Sequence, residues 1–65
     1  MNILLNGNPF TTSARTLGEL ADERSARRPG VAMAVNGMVI RSSTWDEQIL
    51  ENGDAVEIVT AAAGG

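Results

Sequence analysis

The hydroxyls of Thr11, Thr12, Ser13, Ser42 and Ser43 are nucleophile candidates with nothing to activate them, because the 65-residue sequence contains no histidine, no cysteine and no lysine. Near-neutral general bases and strong nucleophiles are His, Cys, Lys or a perturbed carboxylate, and three of those four are missing. A self-contained enzyme is not expected, and any reaction borrows another protein's machinery. The acidic residues Asp46, Glu47, Glu51 and Asp54 do not follow calcium-loop spacing, so they read as a solvated loop rather than a cation site. No metal ligand set and no bound cofactor are expected.

What remains is the C-terminal run Ala61-Ala62-Ala63-Gly64-Gly65. A glycine pair at one fixed position arises by chance about once in 200 chains when glycine is near 7% of residues, so the motif needs a matching fold to carry weight. Its chemistry is simple. Glycine has no Cβ, so a tail ending this way threads a narrow channel and adopts dihedrals closed to other residues. Nothing shields the Gly65 carbonyl from a nucleophile. A carboxylate is a poor acyl donor, since its charge repels nucleophiles and oxide is a bad leaving group, so it must first be activated.

The elements that present such a tail follow from the rest of the chain. Asn2-Ile3-Leu4-Leu5-Asn6 is short and apolar on both faces, as in a strand inside a sheet. Asn6-Gly7 is a strong hairpin signal, and the strand after it, Pro9 to Thr12, carries a proline that favours an edge. Thr16-Leu17-Gly18-Glu19 has capping-box spacing. A helix is expected from there, with Leu17, Leu20, Ala21 and Arg24 on one stripe, running to Arg27 and Arg28 and stopping at Arg28-Pro29-Gly30. The arginines at its end suit the helix dipole.

Val31 to Val35 alternates large and small residues as a strand does. Asn36-Gly37 repeats the hairpin signal into Met38 to Arg41. Trp45, Ile49 and Leu50 are spaced to cap the core from a turn or two of helix, Trp45 as a lid. Asn52-Gly53-Asp54 turns the chain into a last strand at Val56 to Val59. The expected organisation is one domain, residues 1–60, with residues 61–65 as a mobile tail reaching about 16 Å when extended.

Composition narrows the partners. A domain this small buries only about 60% of its unfolded surface, and without cysteine or histidine neither disulfide nor metal supplements its core. The absence of cysteine fits a cytoplasmic protein. No stretch approaches the roughly 20 apolar residues of a membrane span, and no basic region followed by an apolar run opens the chain, so a soluble, unprocessed protein is expected. A net charge of −3 with five arginines as the only basic side chains gives little hold on phosphate backbones; neither nucleic acid nor membrane is an expected partner.

The succession of hairpin, capped helix, hairpin, turn and returning strand, closing on Gly64-Gly65, resembles the ubiquitin-like β-grasp fold and its sulfur-carrier branch. The stretch from Ala34-Val35-Asn36-Gly37 through Trp45, Ile49-Leu50, Asn52-Gly53-Asp54 and Val56-Glu57-Ile58-Val59 is similar to the thiamine-biosynthesis sulfur carriers, the ThiS family. It departs at Arg41-Ser42, where those chains often carry proline then arginine, so no contact of that arginine is carried over.

The resemblance implies an α+β fold: a mixed sheet of four to five strands, its first and last strands parallel at the centre, and one main helix across one face. On that frame strand parity turns Ile3, Leu5, Met33, Val35, Val56 and Ile58 toward the helix, and Leu4, Ala32, Ala34 and Val59 outward as a flat apolar docking surface beside the tail. It also implies the chemistry. A ThiF-like adenylating enzyme uses ATP to convert the Gly65 carboxylate into an acyl-adenylate, and sulfur from a persulfide donor such as a cysteine desulfurase displaces AMP. The resulting thiocarboxylate delivers sulfur to the thiazole synthase ThiG, while Ala61, Ala62, Ala63 and Gly64 thread the partners' active sites. Three alternatives stand beside this reading: the small subunit of molybdopterin synthase, a ubiquitin-like protein modifier, which without lysine cannot form lysine-linked chains on itself, and a binding module with no tail chemistry.

Overall fold

Two Asn-Gly pairs organise the sheet. Asn6 and Gly7 have φ of 50° and 84°, and Asn36 and Gly37 have 51° and 83°, the left-handed pairs that a two-residue hairpin turn matched to strand twist requires. The computed structural model describes residues 1–60; the mobile-tail reading and the sites assigned to Ala61, Ala62, Ala63, Gly64 and Gly65 lie outside the described residues. Strand β1 (Asn2–Leu5) pairs antiparallel with β2 (Asn8–Thr11) in the register Leu5↔Asn8, and β3 (Val31–Val35) with β4 (Met38–Ile40) in the register Val35↔Met38. The last strand, β5 (Ala55–Thr60), lies parallel to β1 and antiparallel to β3, giving the order β2-β1-β5-β3-β4. First and last strands are thus neighbours at the centre, and Pro9 sits on an edge strand where its missing amide proton costs no ladder bond.

Parity sorts the two faces as expected. Ile3, Leu5, Met33, Val35 and Val56 are buried and Ile58 is half-buried against the core. Helix α1 (Leu17–Glu23) supplies the opposing layer through Leu17, Leu20 and Ala21, none with any exposed surface. Thr16 caps α1: its side chain accepts from the Glu19 amide at 3.1 Å. The Glu19 carboxylate reaches back to the amide of Arg15, 2.7 Å away, one residue before the cap.

The helix ends earlier than its sequence suggests. Arg24 is the C-cap and Ser25 takes φ of 55°, with Ala26 N–H donating to the Ala21 carbonyl at 2.7 Å and Ser25 N–H to that of Asp22 at 3.2 Å. These are the two bonds of a Schellman closure, formed here around a serine. Arg27 and Arg28 therefore stand beyond the helix and do not complement its dipole. Arg24 lies over the Phe10 ring, 5.4 Å from its centroid.

The connection from β4 to β5 opens with a 3-10 helix, Ser42–Glu47. Trp45 on it is a buried lid whose Nε1 donates to the Ile40 carbonyl at 2.9 Å. Leu50 is buried too, but Ile49 is 62% exposed and does not cap the core. The helical turn ends at Glu47, and the following residues run extended beside Arg15–Leu17, with Leu17 N–H bonded to the Gln48 carbonyl and Leu50 N–H to that of Arg15. Alternate residues of an extended strip face opposite ways, so Leu50 points in and Ile49 out.

Candidate functional site

β5 leads the chain toward its C-terminal residues, and its neighbours fix it from both sides. Gly53, at φ of 90°, turns the chain and donates to the Asn2 carbonyl at 2.8 Å. Asp54 accepts from the Glu51 amide at 2.8 Å and from the Asn36 side chain at 3.1 Å. The same Asn36 side chain accepts from Ala55 N–H at 3.0 Å, while that of Asn6 accepts from Ile58 N–H at 2.8 Å. Each hairpin asparagine thus serves twice: its backbone takes the left-handed turn, and its side-chain carbonyl seats an amide of β5. The register ends at Thr60 opposite Val31, and residue 61 follows.

The face of the sheet away from α1 carries the four apolar positions read from parity. Leu4 is 42% exposed, Val59 61%, Ala32 exposed and Ala34 half-buried. The register divides them. Ala32 pairs with Val59 and Ala34 with Glu57, while Leu4 pairs with Ala55. Four residues of β5 then separate Leu4 from Val59 along the sheet, about 13 Å at the usual strand rise. Ala32 and Val59 lie beside the end of β5, Ala34 sits midway at the level of Glu57, and Leu4 belongs with Pro9 at the far end of the face. Val39, 73% exposed and paired with Ala34, extends the middle of this face toward the β4 edge. The two-residue Asn36-Gly37 turn fixes the 34↔39 pairing, so this residue was implicit in the hairpin signal although parity along single strands passed over it.

Of the side chains that suggested other chemistry, Thr11, Thr12 and Asp46 are engaged structurally. Thr12 is buried, donating to a Glu23 carboxylate oxygen at 2.5 Å and accepting from Ala14 N–H at 3.0 Å. Thr11 donates to the Asn2 side chain at 2.8 Å. Ser42 and Ser43 line a shallow cleft with Arg27, Arg28, Val31 and Trp45, a setting without a general base. Asp46 is bonded to Arg27, which also holds Asp22; these carboxylates, Asp46 foremost, raise the guanidinium pKa above its ordinary value. Among the described residues no group of three or more His, Cys, Asp or Glu side chains is placed to hold a metal ion. No helix there is long and apolar enough to cross a membrane.

A mixed sheet in this strand order, crossed by one helix and ending on a central strand that leads to the C-terminal residues, is a ubiquitin-like β-grasp protein whose candidate site is its outer face and chain end rather than an internal pocket. The sequence model of the ThiS family matches residues 3–65. The chain belongs to the ThiS family, the sulfur carriers of thiamine biosynthesis. It is 30% identical over 66 aligned positions to the sulfur carrier protein ThiS of Escherichia coli K12, covering all of both chains. To the sulfur carrier protein ThiS of Thermus thermophilus it is 32% identical over 63 positions, covering 97% of this chain and 98% of that one. Among solved structures, the crystal structure of ThiS from Geobacter metallireducens superposes with a TM-score of 0.83 at 29% identity over the whole of both chains. The solution structure of a thiamine biosynthesis protein from the same organism gives 0.80 at 29% identity, covering all of this chain and 88% of that one.

Proposed function

We propose that the chain carries sulfur as a thiocarboxylate on Gly65, made by an adenylating enzyme of the ThiF type and spent by thiazole synthase. The observation that carries this reading is the ThiS family match through residue 65, on a fold whose central strand is seated up to Thr60. ATP reacts with the Gly65 carboxylate to give an acyl-adenylate and pyrophosphate. Sulfur then attacks the acyl carbon, the bond to AMP breaks, and AMP leaves with the electron pair. Hydrosulfide gives the thiocarboxylate directly. A persulfide donor such as a cysteine desulfurase gives an acyl disulfide, which a thiol must cleave reductively.

This chemistry needs no cysteine on the carrier, consistent with a thiol-free sequence, and the chain acts as substrate rather than enzyme. Ala61, Ala62, Ala63 and Gly64 enter the partner's active site while Ala32, Ala34, Val39 and Val59 dock against its surface. ATP belongs to the partner, and the carrier itself holds no cofactor. The setting is the cytoplasm. The relatives' names favour the thiamine branch over molybdopterin synthase.

Intact-mass measurement of the chain with ATP, a sulfide source and an adenylating enzyme tests the assignment. Exchange of one oxygen for one sulfur is expected, and is lost when Gly64 and Gly65 are deleted. Sulfur incorporation that survives removal of Gly65 contradicts it.

A further inference from the structure

The two sides of β5 are unequally used. On the β3 side pairing runs to Thr60↔Val31. On the β1 side it stops at Leu5↔Val56, because β1 turns away at Asn6-Gly7. Residue parity decides which groups this leaves open. Leu4 N–H donates to Asp54, Asn6 N–H to Val56, and Ile58 N–H reaches the Asn6 side chain, so even-numbered residues of β5 address the β1 side. The Ile58 carbonyl and the Thr60 N–H and carbonyl therefore point into the space β1 has vacated, and none of them has a hydrogen-bond partner among the described residues. Thr60 is exposed.

We propose that this open flank of β5 is a strand-addition site, on which an extended segment of the adenylating partner pairs with Ile58 and Thr60. The inference rests on the carrier reading above and adds how the chain end is gripped. An unpaired row of backbone donors and acceptors is a template for another strand. The other two sheet edges are poorer templates. β2 turns Pro9 outward, which has no N–H, and β4 is three residues long. Neither leads into the C-terminal residues.

The test replaces the Thr60 amide by an ester in chemically synthesised chain, deleting one outward donor; Val31↔Thr60 is a non-bonded pair of the antiparallel ladder, so no internal donor is lost, and the only internal change is a weaker acceptor at the Val59 carbonyl opposite Ala32. Affinity for the adenylating enzyme should fall about threefold to tenfold, the effect of one net hydrogen bond, while the chain stays folded with a melting temperature lowered only by the weakened Val59 acceptor. In unmodified chain, hydrogen exchange at the Thr60 amide should slow on complex formation. Unchanged affinity of the ester, or a Thr60 amide that exchanges equally fast in the complex, overturns strand addition while normal sulfur loading of Gly65 leaves the carrier reading in place. Failure of unmodified chain to load overturns both.

Discussion

Ser25 holds φ of 55° at the end of α1, where a side chain with a Cβ costs roughly 1 kcal/mol or more relative to glycine. Ser25→Gly relieves that cost but gains some unfolded-state entropy, so the net expectation is a stabilisation of about 0.5 kcal/mol, raising the melting temperature by roughly 2–4 °C in a domain this size. Circular dichroism melts check it; a drop in melting temperature would show that the serine makes a compensating interaction. The same residue explains why the helix end was illegible. Helix stops are read from glycine at this position or from proline, and the nearest such signal lies at Pro29, so the sequence reads as a helix that continues to Arg28. Thr16 and the asparagines of both Asn-Gly pairs were legible because each carries a local backbone requirement that its own side chain or Cβ satisfies. The second task of Asn6 and Asn36, seating Ile58 and Ala55, spans 52 and 19 residues of sequence and leaves no local signal.

Between elements, α1 and the 3-10 helix meet at Gly18. It is buried, and a Cβ there would run into the Asp46 carboxylate and the Arg27 guanidinium. Gly18 thus leaves room for the bridge in which Arg27 ties Asp22 of α1 to Asp46 of the 3-10 helix. Alanine ordinarily improves a helix by about 0.5–1 kcal/mol over glycine. Gly18→Ala is expected to show no such gain in the native chain, because the added methyl displaces Asp46 and opens the bridge. In an Asp46→Ala background the gain should reappear. A double-mutant cycle of melting temperatures measures the coupling, and additive effects would refute it. Arg27 and Asp46 are both surface residues, so the native bridge should also weaken as salt rises. Ile49 belongs to this scale as well. Its spacing from Trp45 suits a helix, but the helix ends at Glu47, and only the non-local pairing of residues 48–50 with 15–17 decides that it faces outward.

Across the whole molecule, the central position of β5 makes one strand both the middle of the core and the route to the C-terminus. Its inward side chain Val56 is fully buried between those of β1 and β3, while its outward Val59 stands in the row that continues through Ala32. The outer face is therefore graded along the strands: Ala32 and Val59 at the end of β5, Ala34 and Val39 midway at the level of Glu57, Leu4 and Pro9 at the opposite end. If the partner takes up the C-terminal residues and this face together, an aspartate near the tail must be desolvated in the complex, whereas one at the far end stays close to water. Burying an uncompensated carboxylate is costly. Val59→Asp should weaken binding to the adenylating enzyme by about tenfold or more, equivalent to roughly 1.4 kcal/mol, Val39→Asp, midway along the face, by less, and Leu4→Asp by least. All three positions are exposed, so melting temperatures should move little. Titration calorimetry with each variant decides the matter. Equal losses at Leu4 and Val59 would mean that the partner covers the whole face, and a larger loss at Leu4 would place the docking surface at the wrong end for the tail.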